Sequence, residues 1–461
     1  MKFRTALLAV LLAVVIAVFS GCGGFSFNSA ENLIRPPKLS GSDGELQDAF
    51  EKAVSEKGEY ILRYPSGGEH RSAFVRYDCD RDGSDEAFVF YSLKTEEMSV
   101  YMYILDYTDG SWTAVDTIPG DGSDIHSIEF CDLNNDGVAE VLVGWNASES
   151  KTNKKLSVYC SYENADGLAY KVMAIETYTN MITVDIDSDG QEEILAALIN
   201  STSDNYTTEA RLLKMSGEDS SKFQIEAVGQ VSLYSEITAF SEIKKTVSDG
   251  RTYIYIDEVA GDTYLTQVLY WDEVNNALVS PVQVDVLTVS SCPTSRSLNL
   301  TCKDIDNDGE LEIPSTTLLK KSSVVTKKTD TAENTDQSGN IYITSWNKYN
   351  GGDFVCVSSY IENSYDGFRI AYDDVAMKDW SIVFYPDSGI SQFFTEISSE
   401  DGETKEKNLL FTLYKVDIDE EVNIESYFLT GKEYKYKFEI TEHGHDEGIT
   451  KTKIATLFSL I

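Results

Sequence analysis

The sequence is short of the groups that do chemistry. Its 461 residues include only four histidines, and there is no GxSxG, no P-loop, no GxGxxG opening a helix and no local Cys/His signature. His70 and His126 stand at strand starts without a partner at recognisable spacing, and His443 and His445, in "TEHGHDEG", are read as part of a hydrophilic loop rather than as metal ligands. Positive charge is scarce as well. Thirty-eight lysines and arginines face 77 aspartates and glutamates, for a formal net charge of -39. Such a surface repels phosphate backbones and anionic headgroups, so nucleic acid is excluded as a partner and membrane contact is expected only through an anchor. After Cys22 come Cys79, Cys131, Cys160, Cys292, Cys302 and Cys356, with no CxxC pair among them. Zinc is not suggested, and these thiols are read as packing residues.

Long apolar runs are missing too, apart from Ala6–Val18 behind Lys2 and Arg4. That run is too short to span a bilayer and has the three-part form of a secretory signal. "FSGC", Phe19 to Cys22, resembles the lipobox of bacterial lipoproteins, which implies lipidation at Cys22 and attachment to the outer face of the cell membrane. An ordinary cleaved signal with an incidental cysteine is the alternative. Residues 1–21 are then a signal peptide and 22–41, with "RPPKLSG", an extended linker. Residues 42–72 form a lead-in: an amphipathic helix over Ser42–Gly58 with Leu46, Phe50 and Val54 on one face, then the strand-like "YILRYP".

What is present in abundance is acid at fixed spacing. "FCDLNNDGVAEVLVGW" sets Asp132, Asn134, Asp136 and Glu140 around Gly137. The same spacing recurs as Asp78, Asp80, Asp82, Glu86; as Asp185, Asp187, Asp189, Glu193; and as Asp304, Asp306, Asp308, Glu312. The second start follows the first by about one period and the fourth follows the third by about two, so a degenerate copy is expected near 245. There, "FSEIKKTVSDGRTYIYID" keeps Asp249 and Gly250, while Lys245, Val247 and Tyr253 replace the other oxygen donors. This copy is expected to hold no ion, with Lys245 approaching Asp249. Turn residues such as Asp109-Gly110 and Asn275-Asn276 follow each motif, with strand-like stretches between. Each period therefore holds about four short strands, the acidic loop lying between the first and second. Units this small do not bury both faces alone, and arranged radially they make the blades of a β-propeller. The expected fold is mainly β: a propeller of five to six four-stranded blades over residues 73–362, then a small α+β domain over 363–461, closed by "TKIATLFSLI", where Ile454, Leu457, Phe458 and Ile461 have helical spacing. The polar stretch Lys320–Asn340 is read as a mobile loop inserted in the fifth repeat.

Carboxylates at alternate positions converge on a cation if the chain curls, and glycine at the sixth place permits the curl. The ninth-place glutamates and the strand-like flanks do not fit an EF-hand, whose bidentate acid stands at the twelfth place between helices. The pattern resembles the calcium-binding hairpin loops of FG-GAP and VCBS repeats, the blades of integrin-type propellers, which implies calcium as the ion. Solvated acidic turns without an ion are the bland alternative. Taken whole, the chain resembles surface lipoproteins of Gram-positive bacteria. The expectation is a non-catalytic, calcium-stabilised module that binds an extracellular protein or glycan, without a catalytic residue set. A calcium-dependent carbohydrate-active enzyme, lyase or hydrolase, on the same scaffold is the alternative.

Overall fold

The computed structural model describes residues 42–461 except 148–151, 165–166, 203–204, 218–222, 282–288, 290–291, 328–335, 399–403 and 422–426. The signal, the linker and Cys22 lie outside the described residues, within which no helix is long and apolar enough to cross a membrane.

Each repeat folds into its own antiparallel sheet. Sheet I comprises Phe74–Tyr77, Glu86–Leu93, Tyr101–Thr108 and Ser111–Pro119, and Tyr60–Leu62 of the lead-in continues its first edge beside Phe74–Tyr77. Sheet II runs Asp124–Cys131, Glu140–Asn146, Lys154–Asn164, Gly167–Tyr178, and sheet III runs Asn180–Val184, Glu193–Thr202, Asn205–Ser216, Gln224–Ser232. Sheet IV, the degenerate copy, runs Ala239–Ser248, Arg251–Ala260, Thr263–Asp272, Ala277–Val279. In sheet V the first strand shrinks to one bridge between Lys303 and Glu312, ahead of Ile313–Leu318, Tyr342–Tyr349, Phe354–Asn363 and Phe368–Ala371.

The sheets pack face to face in chain order, and their second strands show why the sequence reads as continuous apolar runs rather than alternating ones. A strand covered on both faces has no side left for polar residues. Phe88 and Phe90 of sheet I meet Val141, Val143 and Trp145 of sheet II, while Leu142 turns the other way toward Ile194 and Ala196 of sheet III. Leu195 and Ala197 then meet Ile254 and Ile256 of sheet IV, and Tyr253 and Tyr255 meet Ile313 and Tyr349 of sheet V.

The two ends of this stack are covered differently. The outward face of sheet I, with Ala87, Val89 and Tyr91, receives Leu46, Phe50 and Val54 of the helix Ser42–Ser55. Phe50 is fully buried and meets Tyr60, Phe74, Tyr91 and Tyr103 edge-on at centroid distances of 5.2 to 5.8 Å. Sheet V packs instead against a seven-stranded sheet VI of Ser323–Lys327, Asp336–Gly339, Trp380–Tyr385, Ile390–Ser398, Thr404–Asp417, Tyr427–Thr430 and Tyr434–Ile440. Among the described residues no core cluster joins sheet I to sheet V.

Three expectations need correction. The stretch 320–340 is not simply an inserted loop, because Ser323–Lys327 pairs in parallel with Trp380–Tyr385 and carries Asp336–Gly339 into sheet VI. The expected division at 363 is also crossed the other way, since Phe458–Leu460 pairs with Phe368–Ala371 of sheet V. Finally, the helical spacing of Ile454, Leu457, Phe458 and Ile461 stops at Leu457: the helix is Lys451–Leu457, and Phe458 is buried as the start of that strand.

Candidate metal centres

The four acidic motifs fold into one loop repeated. In each, the residue before the loop pairs with the ninth-place glutamate: Tyr77 with Glu86, Cys131 with Glu140, Val184 with Glu193, Lys303 with Glu312. Each loop needs two residues in left-handed conformation. The first is Arg81, Asn135, Ser188 or Asn307, at φ from 57° to 61°, and the second is the motif glycine, at φ from 89° to 93°. At the latter value a side chain is strongly disfavoured, which is why the sixth place is glycine.

The hydrogen bonds repeat as well. The glycine N–H donates to Oδ2 of the first aspartate: Gly83 to Asp78 at 3.2 Å, and Gly137 to Asp132, Gly190 to Asp185 and Gly309 to Asp304 at 3.0 Å. Oδ1 of the third aspartate, Asp82, Asp136, Asp189 or Asp308, accepts the N–H two residues on. Glutamate Oε2 accepts from the residue after the first aspartate: Cys79 to Glu86, Leu133 to Glu140, Ile186 to Glu193, Ile305 to Glu312. Oδ2 of the third aspartate and Oε1 of the glutamate receive no backbone N–H, whereas Asp132 and Asp304 give both of their oxygens to backbone N–H groups. Asp78 Oδ1 and Asp185 Oδ1 are buried without a hydrogen-bond partner, and buried Glu312 Oε1 is met by the Lys348 ammonium at 3.4 Å.

Orphaned, buried anionic oxygens are costly unless a cation meets them. In three loops the acidic ligand atoms lie within 4.8 Å of one another: Asp78, Asp80 and Asp82; Asp185, Asp187 and Glu193; Asp304, Asp306 and Asp308. The second loop has an amide at its middle place, where Asn134 Nδ2 donates to Asp136 Oδ2 at 3.0 Å. Burial pushes Glu86 and Glu140 up to about 7, against the backbone N–H groups that favour their charged forms. The donor set is all oxygen, clustered and over-charged, and it fits a hard divalent cation.

Two residues that the sequence reading did not single out sit in these cages. Lys214 Nζ donates to Asp187 Oδ2 at 3.0 Å and to Asp189 Oδ2 and Glu193 Oε1 at 2.7 Å. Lys348 Nζ donates to Asp308 Oδ2 and lies 3.4 Å from Glu312 Oε1. Partial burial pulls both ammonium groups down, but the carboxylates outweigh it and raise them overall. Their signal was hidden in pairing: both stand on the strand after the glutamate strand, opposite the glutamate, where linear spacing is blurred by hairpins of different length.

The degenerate copy has no such cage. Its strands run straight into a two-residue Asp249-Gly250 turn, both residues left-handed, with Ser248 paired to Arg251. Lys245 does not approach Asp249 as expected. It points to the preceding repeat, 3.4 Å from the Thr183 carbonyl and 3.5 Å from Glu192. Sheet IV has instead an internal ion pair, Arg296 to Asp257 at 2.8 Å, both side chains 1 % exposed. Arg296 also donates to Thr266 and to the Thr294 and Leu300 carbonyls, and Asp257 accepts from the Cys302 N–H.

No catalytic constellation accompanies these loops among the described residues. His443 contacts Thr395 and lies in a short helix, Glu442–Asp446, where a loop was expected; His70 stacks edge-on with Phe130; His126 packs on Gly67. Cys79, Cys131, Cys160, Cys292 and Cys302 are buried free thiols, as packing residues should be, but Cys356 is exposed.

Residues 78–143, spanning the first two loops, match the FG-GAP-like repeat. No curated protein matches the chain. Among solved structures it is similar to a hypothetical selenium-binding protein from Sulfolobus tokodaii, at 10% identity and TM-score 0.29, covering 49% of this chain and 60% of that one, less than two thirds of its length. It is also similar to an exotype rhamnogalacturonan lyase, at 11% identity and TM-score 0.30, covering 77% of this chain and 85% of that one. Likenesses this distant bear on neither activity nor substrate.

Proposed function

We propose that the chain is a lipid-anchored module on the outer face of the cell membrane, in which calcium bound at the FG-GAP-like loops stiffens a β-propeller that presents a non-catalytic binding surface to an extracellular protein or glycan. The observation carrying the calcium reading is the fourfold repetition of one backbone hydrogen-bond pattern, with acidic ligand atoms gathered within 4.8 Å of one another in three of the four loops. In this reading Asp78, Asp80, Asp82 and Glu86, and their counterparts in the other three loops, hold the ion, and the ion joins the first strand of a sheet to the second. Sheets I to V are the blades, and sheet VI and the lead-in helix take the remaining sector. Cys22 supplies the anchor.

A cavity of about 600 Å³ between sheets V and VI offers Tyr342, Tyr365 and Glu362. It has no arginine or lysine in its lining, and so lacks the cation that a polysaccharide lyase or hydrolase site of the expected kind would set beside a tyrosine and a carboxylate. A screen of the full-length protein in detergent against glycan and peptide arrays, with calcium and with chelator, tests this reading. It predicts a ligand retained unchanged and bound more tightly with calcium. Turnover of a bound polysaccharide would replace it with the enzyme alternative.

A further inference from the structure

The four loops share a backbone but not the residue that faces the buried glutamate from the neighbouring strand. Opposite Glu86 stands Asp106. Beside Glu140 lies the thiol of Cys160, one residue from the Val141–Tyr159 pair. Opposite Glu193 and Glu312 stand Lys214 and Lys348, whose ammonium groups contact the loop carboxylates. The first loop gathers Asp78, Asp80 and Asp82 within 4.8 Å of one another, with Glu86 at its end and Asp106 opposite Glu86 on the next strand, and among the described residues no lysine or arginine forms an ion pair with any of these five. In the second loop the exposed Arg81 approaches Asp132 only to 3.6 Å.

Resting on the calcium reading above, we infer that the loops form two classes: the first is the tightest divalent-cation site, with Asp106 as an added ligand, and Lys214 and Lys348 are tethered cations that occupy the third and fifth loops in place of a divalent ion. The oxygens that Lys214 takes, Asp187 Oδ2, Asp189 Oδ2 and Glu193 Oε1, are those the backbone leaves free in the other loops. A divalent ion entering the third loop must displace the ammonium, which is tethered at high effective concentration and leaves a like charge nearby. An ion entering the first loop displaces nothing and relieves repulsion among five carboxylates. The third and fifth repeats are therefore closed at low calcium, and the first and second become rigid only when the ion arrives. The fourth, with its two-residue turn, needs neither.

Flow dialysis of radioactive calcium on the full-length protein in detergent tests this directly. Wild type should show tight and weak classes of site. Lys214→Met and Lys348→Met should each move one weak site into the tight class, a change of about tenfold or more in affinity, the scale expected when a charge at close range is removed. Asp106→Asn should weaken one tight site by a similar factor. Lys214→Arg keeps the charge and should leave the isotherm as in wild type, which separates competition by charge from damage to the loop. Four equivalent sites, or lysine variants with unchanged isotherms, would overturn the two-class assignment while leaving the loops as calcium sites. No calcium bound by wild type or any variant would overturn the calcium reading and this inference together.

Discussion

Sheet IV and its neighbours make the same hairpin in two ways. Between Ser248 and Arg251 the chain reverses with Asp249 and Gly250 alone, whereas between Tyr77 and Glu86, Cys131 and Glu140, or Val184 and Glu193 it takes eight residues. Both hairpins lead into a second strand buried on both faces. The sheet therefore does not require the acidic loop. Eight residues that crowd three or four carboxylates cost stability unless something repays the repulsion, so the loop is there for a cation. Sheet IV holds its buried charge with a cation of its own, the Arg296 guanidinium.

The comparison can be broken at several points. The largest effect is expected in sheet IV: Asp257→Ala strands a buried guanidinium and should cost about 3–5 kcal/mol. That loss, read from denaturant unfolding, should be the same with calcium and with chelator; a loss that calcium reverses would mean sheet IV is not independent of the ion. Gly137→Ala comes next. It forces a side chain to φ of 93° and should cost about 1–2 kcal/mol together with the second loop's calcium response. Transplanting the short turn is a sharper test. Replacing Asp78–Asp85 with Asp-Gly should leave circular dichroism unchanged and remove one site's share of calcium stabilisation, about 1.4 kcal/mol per tenfold calcium above its dissociation constant. Loss of the fold would show that the loop shapes the sheet after all.

The smallest effect concerns acid. Burial, with Lys154 and Arg71 adding to it, lowers His126 to about 4. A histidine held neutral in the fold contributes stability that is present above its unfolded value of 6.5 and is lost as pH falls toward 4. Because the ring is only partly buried, the loss should be no more than about 1 kcal/mol. His126→Gln should flatten that part of the melting-temperature profile, between pH 6.5 and 4, with calcium or chelator alike.

Much of this was legible in the chain because the motif fixes both position and geometry. Glycine at the sixth place and glutamate at the ninth locate the loop, its sharp turn and the following strand, so five sheets can be counted from the sequence. What escaped depends on pairing across sequence. Lys214 and Lys348 lie at different distances from their glutamates, because residues 320–340 leave the fifth repeat to add strands to sheet VI. Lys245 could be placed near Asp249 only by assuming that a tight hairpin keeps the long loop's geometry; in a straight ladder its side chain goes to Glu192 instead. Arg296 sits in a segment with no periodicity, and nothing local marks its partner, 39 residues away. The C-terminal run Ile454, Leu457, Phe458, Ile461 has helical spacing, yet the open edge of sheet V captures Phe458–Leu460 as a strand.

The central claim is that the acidic loops hold cations that hold the sheets. Its most direct test joins metal analysis of the purified full-length protein to thermal unfolding with excess chelator and with restored calcium. The account predicts co-purifying calcium, a melting transition that falls on chelation and returns with calcium, and a response that shrinks when Asp82 and Asp136 are replaced by alanine. An unfolding curve indifferent to chelator, in a protein that retains no calcium, would contradict it and leave the four loops as acidic turns.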